Sequence, residues 1–140
     1  MARSIAGALA ALLVIAAVAA GENPNTFFVG DMVNPFVFLG TQLADGNVTS
    51  AGQLAKLAIA VIAGGKDVHD FSGHDLVVDL LALQDESGVF GFGAFDHCLA
   101  LIALQNAAVD LPEGAVEALV AAQNEDGGWG FMASEASDTN

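Results

Sequence analysis

The sequence predicts an all-α fold assembled from helical hairpins, and three observations carry the prediction. Apolar residues recur at helical spacing in five separate segments. Each segment runs into a loop that contains glycine, and no stretch sustains the alternation with β-branched residues that a half-buried strand requires.

The first segment covers 34–42 and is a short helix expected to begin at Pro35. The second carries Leu54, Leu57, Ala58, Val61 and Ile62 on one stripe, with Thr49 or Ser50 as its N-cap and Gly64-Gly65 as its stop. The third holds Leu76, Val77, Leu80, Leu81 and Leu83, with Asp75 near its start. Leu99, Ile102, Ala103 and Leu104 form the fourth, for which Asp96 is the expected cap. In the fifth, Pro112 is expected in the first turn, with Val116, Leu119 and Val120 behind it.

Residues 1–20 read differently. Met1 and Arg3 give a small positive start, 5–18 is an apolar run, and small residues at 17–20 suit a signal peptidase. We expect a secretory signal peptide over 1–20, with the polar Glu22-Asn23-Pro24-Asn25 as the mature N-terminus and 21–140 as the folded domain. The apolar run is shorter than the roughly 20 residues that span a bilayer, and no later segment is long and charge-free enough, so no membrane span is expected after cleavage.

Only Lys56 and Lys66 are basic after Arg3, against 17 Asp and Glu, for a net charge of −14. Such a surface repels nucleic acid and anionic lipid, which excludes both as partners. Cys98 is the single cysteine, so an intrachain disulfide is excluded and the fold must rest on helix packing. Asn47-Val48-Thr49 is a glycosylation sequon that also suits the opening of a helix.

The most informative feature is internal. Gln84-Asp85-Glu86-Ser87-Gly88-Val89-Phe90-Gly91-Phe92 aligns with Gln123-Asn124-Glu125-Asp126-Gly127-Gly128-Trp129-Gly130-Phe131 at an offset of 39, and Gln, Glu, Gly, an aromatic, Gly and Phe recur. A weaker copy is Gln42-Leu43-Ala44-Asp45-Gly46. Fixed-period similarity of this length marks a repeat architecture. Glycine lets the chain reverse, the aromatic packs over a helix end, and the Gln amide can reach backbone groups that a helix end leaves open. The structural repeat motif is therefore Gln84, Gly88, Phe90, Gln123, Gly127 and Trp129.

These two loops resemble the QW motif of squalene cyclases and the equivalent loops of protein prenyltransferase β-subunits, with Phe90 in place of the usual Trp. A closer likeness is to secreted bacterial proteins with prenyltransferase-type repeats, carried by 51–58, by Phe71-Ser72-Gly73-His74-Asp75-Leu76-Val77, and by the ending Ser137-Asp138-Thr139-Asn140. The resemblance covers roughly 47–140. It implies helical-hairpin repeats of an incomplete α/α toroid, the terpenoid cyclase and prenyltransferase architecture, with 21–140 as a partial domain. In the family the Gln and the aromatic tie adjacent helices together.

The chemistry the resemblance would bring is not matched here. The Asp-x-Asp-Asp acid of squalene cyclases, the Asp-Asp-x-x-Asp motif of ionising terpene synthases and the thioester of complement-like toroids are all missing from the sequence. Asp96 and Cys98 match the Asp-x-Cys pair with which prenyltransferase β-subunits hold zinc, but the helix start after Phe131 offers no His as third ligand. We read Asp96 as a cap and Cys98 as a buried thiol in the first turn, so no cofactor is expected, zinc being the alternative. Asp67, His69, Asp70, His74 and Asp75 crowd one connection at spacings that fit no ligand signature, and read as a solvated linker.

No catalytic residue is therefore assigned. The expected function is a secreted, non-enzymatic binding or cell-surface module, similar to the toroids that carry cobalamin, with an apolar or small-molecule ligand and self-association through exposed repeat edges. The alternative is an isoprenoid-handling enzyme of the prenyltransferase or terpene cyclase type.

Overall fold

A computed structural model of the chain describes residues 2–23, 34–132 and 135–137. The described residues form six helices: α1 (Ala2–Ala19), α2 (Pro35–Ala44), α3 (Ala51–Ala63), α4 (Leu76–Leu81), α5 (Ala94–Asn106) and α6 (Ala115–Ala121). Among the described residues the only β features are two isolated bridges, Phe71 with His74 and Gln84 with Phe90. The chain is all-α. Pro24 and Asn25 of the expected mature N-terminus, and 138–140 of the tail, lie outside the described residues.

The central element is α3. It packs on α1, α4 and, most extensively, α5, while α1 also meets α2 and α5 meets α6. Its buried face runs through Leu54, Ala55, Leu57, Ala58, Ala60 and Val61, and alanine on both α3 and α5 (Ala100, Ala103) lets their backbones approach closely. Gly52 serves the same contact, because a Cβ there would collide with the carboxylate of Asp96 on α5. At the other end of α3, Gly64 makes room for the Phe36 ring of α2, which packs edge-on against Phe71 at 6.5 Å.

Local sequence accounts for most helix starts. Asn34 caps α2 through Phe36 N, with proline in the first turn. Ser50 caps α3 in a full capping box: its hydroxyl accepts from Gln53 N, and Gln53 Oε1 accepts from Ser50 N. Asp75 caps α4 by accepting from Val77 N and Val78 N.

Two starts differ from expectation. The N-cap of α5 is Gly93 and not Asp96, which lies in the first turn, where its charge complements the helix dipole. Gly93 sits at φ 88°, and the Phe131 carbonyl occupies the space a Cβ would need. Pro112 is outside α6: Ala115 N donates to Pro112 O across a turn, and Gly114 in the left-handed region opens the helix.

Four helices end in one way. In α1, α2, α3 and α5 the residue after the C-cap is left-handed (Gly21, Gly46, Gly65, Ala108), and the next N–H reaches back to a carbonyl five positions earlier. This is the Schellman arrangement, and it satisfies carbonyls the helix leaves open. The weak repeat copy at 42–46 is this motif, since Gln42 O accepts from Asn47 N and the Gln42 side chain accepts from Asn47 Nδ2. Ala108 is the exception in residue type, at φ 56°. Ala108→Gly should relieve the Cβ strain, offset in part by a freer unfolded chain, and stabilise the protein by about 1 kcal/mol. A thermal melt that shows no rise would contradict this.

The expected leader is packed in the uncleaved chain. Ala11, Val14 and Ala17 of α1 are buried, and Ala11 and Val14 belong to the same apolar cluster as Leu54, Leu57 and Leu76. Removing 1–20 would therefore uncover part of the surface of α2 and α3. Among the described residues, no helix is long and apolar enough to cross a membrane.

Candidate functional site: two glycine–aromatic loops and the pocket between them

The loops after α4 and α6 have the same backbone. Asp85 N donates to Val89 O and Gly88 N to Asp85 O; 39 positions later, Asn124 N donates to Gly128 O and Gly127 N to Asn124 O. Gly88 and Gly127 hold φ of 86° and 83°, a conformation that glycine adopts without cost. Gln84 Nε2 donates to Gly88 O at 3.2 Å, and Gln123 Nε2 to Gly127 O at 2.7 Å. Each Gln thus closes its own loop.

The first loop is also tied to the turn ahead of α6. Gln84 Nε2 reaches Glu113 O in that turn at 3.1 Å, and Gly88 presses against the Gly114 backbone. The aromatic positions differ in depth. Phe90 is fully buried, whereas Trp129 is half-buried and donates its Nε1–H to Leu119 O, an open carbonyl in the last turn of α6. Phenylalanine at the first position therefore makes the deeper contact of the two.

Carboxylates reinforce both loops. Asp85 Oδ1 accepts from Ser87 N, Ser87 Oγ and Val89 N, and Asp126 Oδ1 accepts from Gly128 N and Ser137 Oγ. The hydroxyl of Ser87 in one case, and of Ser137 in the other, leads in holding the carboxyl below its usual range. Asp75 is lowered first by the Val78 N–H at its cap and then by His69. A lowered carboxyl favours the folded state above the ordinary value near 4, and that contribution is lost as pH falls through the folded value. These loops are held by ionised acids and loosen in acid.

The residue that joins the loop to α5 and α6 is His97, which the sequence did not single out. It is buried, Nδ1 accepts from Phe90 N at 3.0 Å, and Nε2 donates to Ala115 O at 2.8 Å. One ring nitrogen accepting and the other donating is the neutral Nε2–H tautomer. The ring also stacks on Phe90, centroids 5.9 Å apart. Only its place beside Asp96 in the sequence hinted at a role.

The expected metal candidates are not brought together. Asp96 lies against Gly52 on α3, while Cys98 is two residues further along the same helix, about 200° round its axis. Cys98 is half-buried in the second turn, which corrects the expectation of a buried thiol in the first, and loss of solvation pushes its thiol up. On the connector, the imidazoles form two separate pairs, His69 Nδ1 with Asp75 Oδ2 at 3.0 Å and His74 Nδ1 with Asp79 Oδ2 at 3.1 Å. Asp67 accepts from His69 N within the linker. Among the described residues no group of three or more His, Cys, Asp or Glu side chains could hold a metal ion.

Between α5, α6 and the two loops lies a partly open pocket of about 150 Å³. Val89, Ala94, Ala118, Leu119, Ala122 and Met132 supply most of its wall, and His97 lies against it. Both imidazole nitrogens are already engaged, so the ring offers the pocket only its carbon surface. The site can hold an apolar group and presents no nucleophile. No protein-family model matches the chain, and no curated protein or solved structure is significantly similar to it.

Proposed function

We propose that the chain is an exported, repeat-built binding or cell-surface module, related to the α/α toroids of the squalene cyclase and prenyltransferase type, and that it is a scaffold rather than an enzyme. The observation that supports this most is the matching hydrogen-bond pattern of the two loops, in which the polar side chains are spent on backbone groups. Gln84, Asp85, Gln123, Asp126 and His97 all hold the chain in place. What remains open at their junction is an apolar pocket. A corrinoid is far larger than this pocket, so a cobalamin-carrier role would need another surface.

Export is proposed on residues 1–20 and tested by mass spectrometry of protein released from a bacterial host. Loss of about the first 20 residues is expected, and an intact Met1 overturns it. Binding is tested with a panel of apolar compounds, from single rings to polycyclic and long-chain molecules, by thermal shift. At least one should raise the melting temperature saturably, as a ligand that binds only the folded state must. No response across the panel overturns the binding module.

A further inference from the structure

We infer that the pocket between α5 and α6 is a binding site for a single monocyclic aromatic ring, an inference that rests on the binding-module reading. Size sets the first limit. Drug-sized ligands occupy about 300–1,000 Å³, whereas an engineered apolar cavity of about 150 Å³ in another protein takes up benzene. This pocket is of the second kind. It has room for one ring, and a polycycle or a macrocycle would leave most of its surface in solvent.

The wall sets the second limit. Ala118 on α6 and Ala122 at its C-cap stand one turn apart and give a flat, small-residue side, with Leu119 between them. A side chain with no hydrogen-bonding atom left over faces them, since His97 has committed both nitrogens to Phe90 and Ala115. A ligand donor or acceptor placed here would lose its water without gaining a partner, a net penalty on binding. The ring must therefore be unsubstituted or carry only alkyl groups on the buried side.

One group favours an aromatic over an aliphatic occupant: the Met132 thioether is a polarizable partner for a ring edge, a contact that a saturated ring of equal size does not gain. The His97 ring, nearly fully buried and stacked on Phe90, adds little surface of its own. Trp129 makes the site observable: its indole is anchored to Leu119 O, and Leu119 and Gly130 both line the pocket.

The test is titration of the purified chain with toluene and with methylcyclohexane, followed by Trp129 fluorescence and by melting temperature. Toluene should give a saturable change in both readouts and bind several-fold more tightly than methylcyclohexane. Ala118→Leu should fill the pocket and weaken toluene at least tenfold while the protein remains folded; Ala122→Leu, which narrows the same wall, serves if the first variant fails to fold. Toluene binding that survives in a folded Ala118→Leu or Ala122→Leu variant overturns the assignment, as does equal affinity for methylcyclohexane. A wild-type chain that ignores toluene yet responds to a larger member of the apolar panel overturns the ring site and leaves the module reading standing.

Discussion

Replacing His97 with alanine is expected to lower the stability of the protein by about 4 kcal/mol. The imidazole is 2% exposed, so its removal leaves a void between α5, α6 and the first loop. It also strips the partner from Phe90 N–H, bonded to the ring at 3.0 Å, and takes from Ala115 C=O the donor at 2.8 Å that supplements its helical bond within α6. Void and stranded Phe90 N–H each cost about 1–3 kcal/mol, and the lost stacking on Phe90 adds to them. Urea denaturation should show the midpoint falling with little change in slope. His97→Gln, able to keep one bond but not both, should fall between the two. An alanine variant within 1 kcal/mol of the parent, on the order of an ordinary surface change, would show that the ring does not join the loop to α6.

The second large effect is expected at Gly88, and its counterpart in the other loop provides the control. At φ 86° any side chain is strained by about 1–2 kcal/mol, and a Cβ would also stand 2.6 Å from the Gly114 carbonyl oxygen. That neighbour is backbone, so relief requires the first loop to draw away from the turn before α6, stretching the bond from Gln84 to Glu113 O. Gly88→Ala should therefore cost about 3 kcal/mol or more. Gly127 has φ 83° but open space around it, so Gly127→Ala carries only the backbone strain. Paired thermal melts separate the two terms, and equal losses would mean that the contact with Gly114 contributes nothing.

Where short-range chemistry decides, the sequence was legible. Asn34-Pro35, Ser50 with Gln53, and Asp75 each place a helix start because the capping group and the amide it satisfies are within three residues. The recurrence at 84–92 and 123–131 was legible as well: the bond from Gln Nε2 to the Gly carbonyl joins two recurring positions, while the backbone bonds also use Asp85 and Val89, which are Asn124 and Gly128 in the second loop. The misplaced starts of α5 and α6 share a cause. Gly93 has no side chain to advertise a cap, and its conformation is set by a carbonyl 38 residues away, at Phe131. Pro112 belongs to a turn that a first-turn proline rule cannot distinguish from a helix.

The candidate site was harder to read for the same reason. His97 bonds to residues seven and eighteen positions distant, and nothing local separates such a histidine from a metal ligand. Its neighbours Asp96 and Cys98 drew the attention to zinc, while the two nitrogens of His97 hold backbone groups. The pocket depends on how closely α6 approaches α5, and small residues such as Ala118 and Ala122 are silent about that distance. The pattern of the loops could be seen in advance; the space between them could not.

Both lysines lie over aromatic faces, Lys56 above Phe95 at 5.6 Å and Lys66 above Phe36 at 5.3 Å. The two ammonium groups lie over rings of the same molecule and keep their charge there, which still leaves the chain at a net −14. Two copies approaching one another meet as like-charged bodies, even though Phe92, Phe95, Val120 and Phe131 expose apolar surface that would gain by being covered. In dilute buffer that repulsion extends about 30 Å, and in molar salt only about 3 Å. A contact between copies through these faces is therefore expected to be weak in dilute buffer and stronger in molar salt, which light scattering at the two ionic strengths would show.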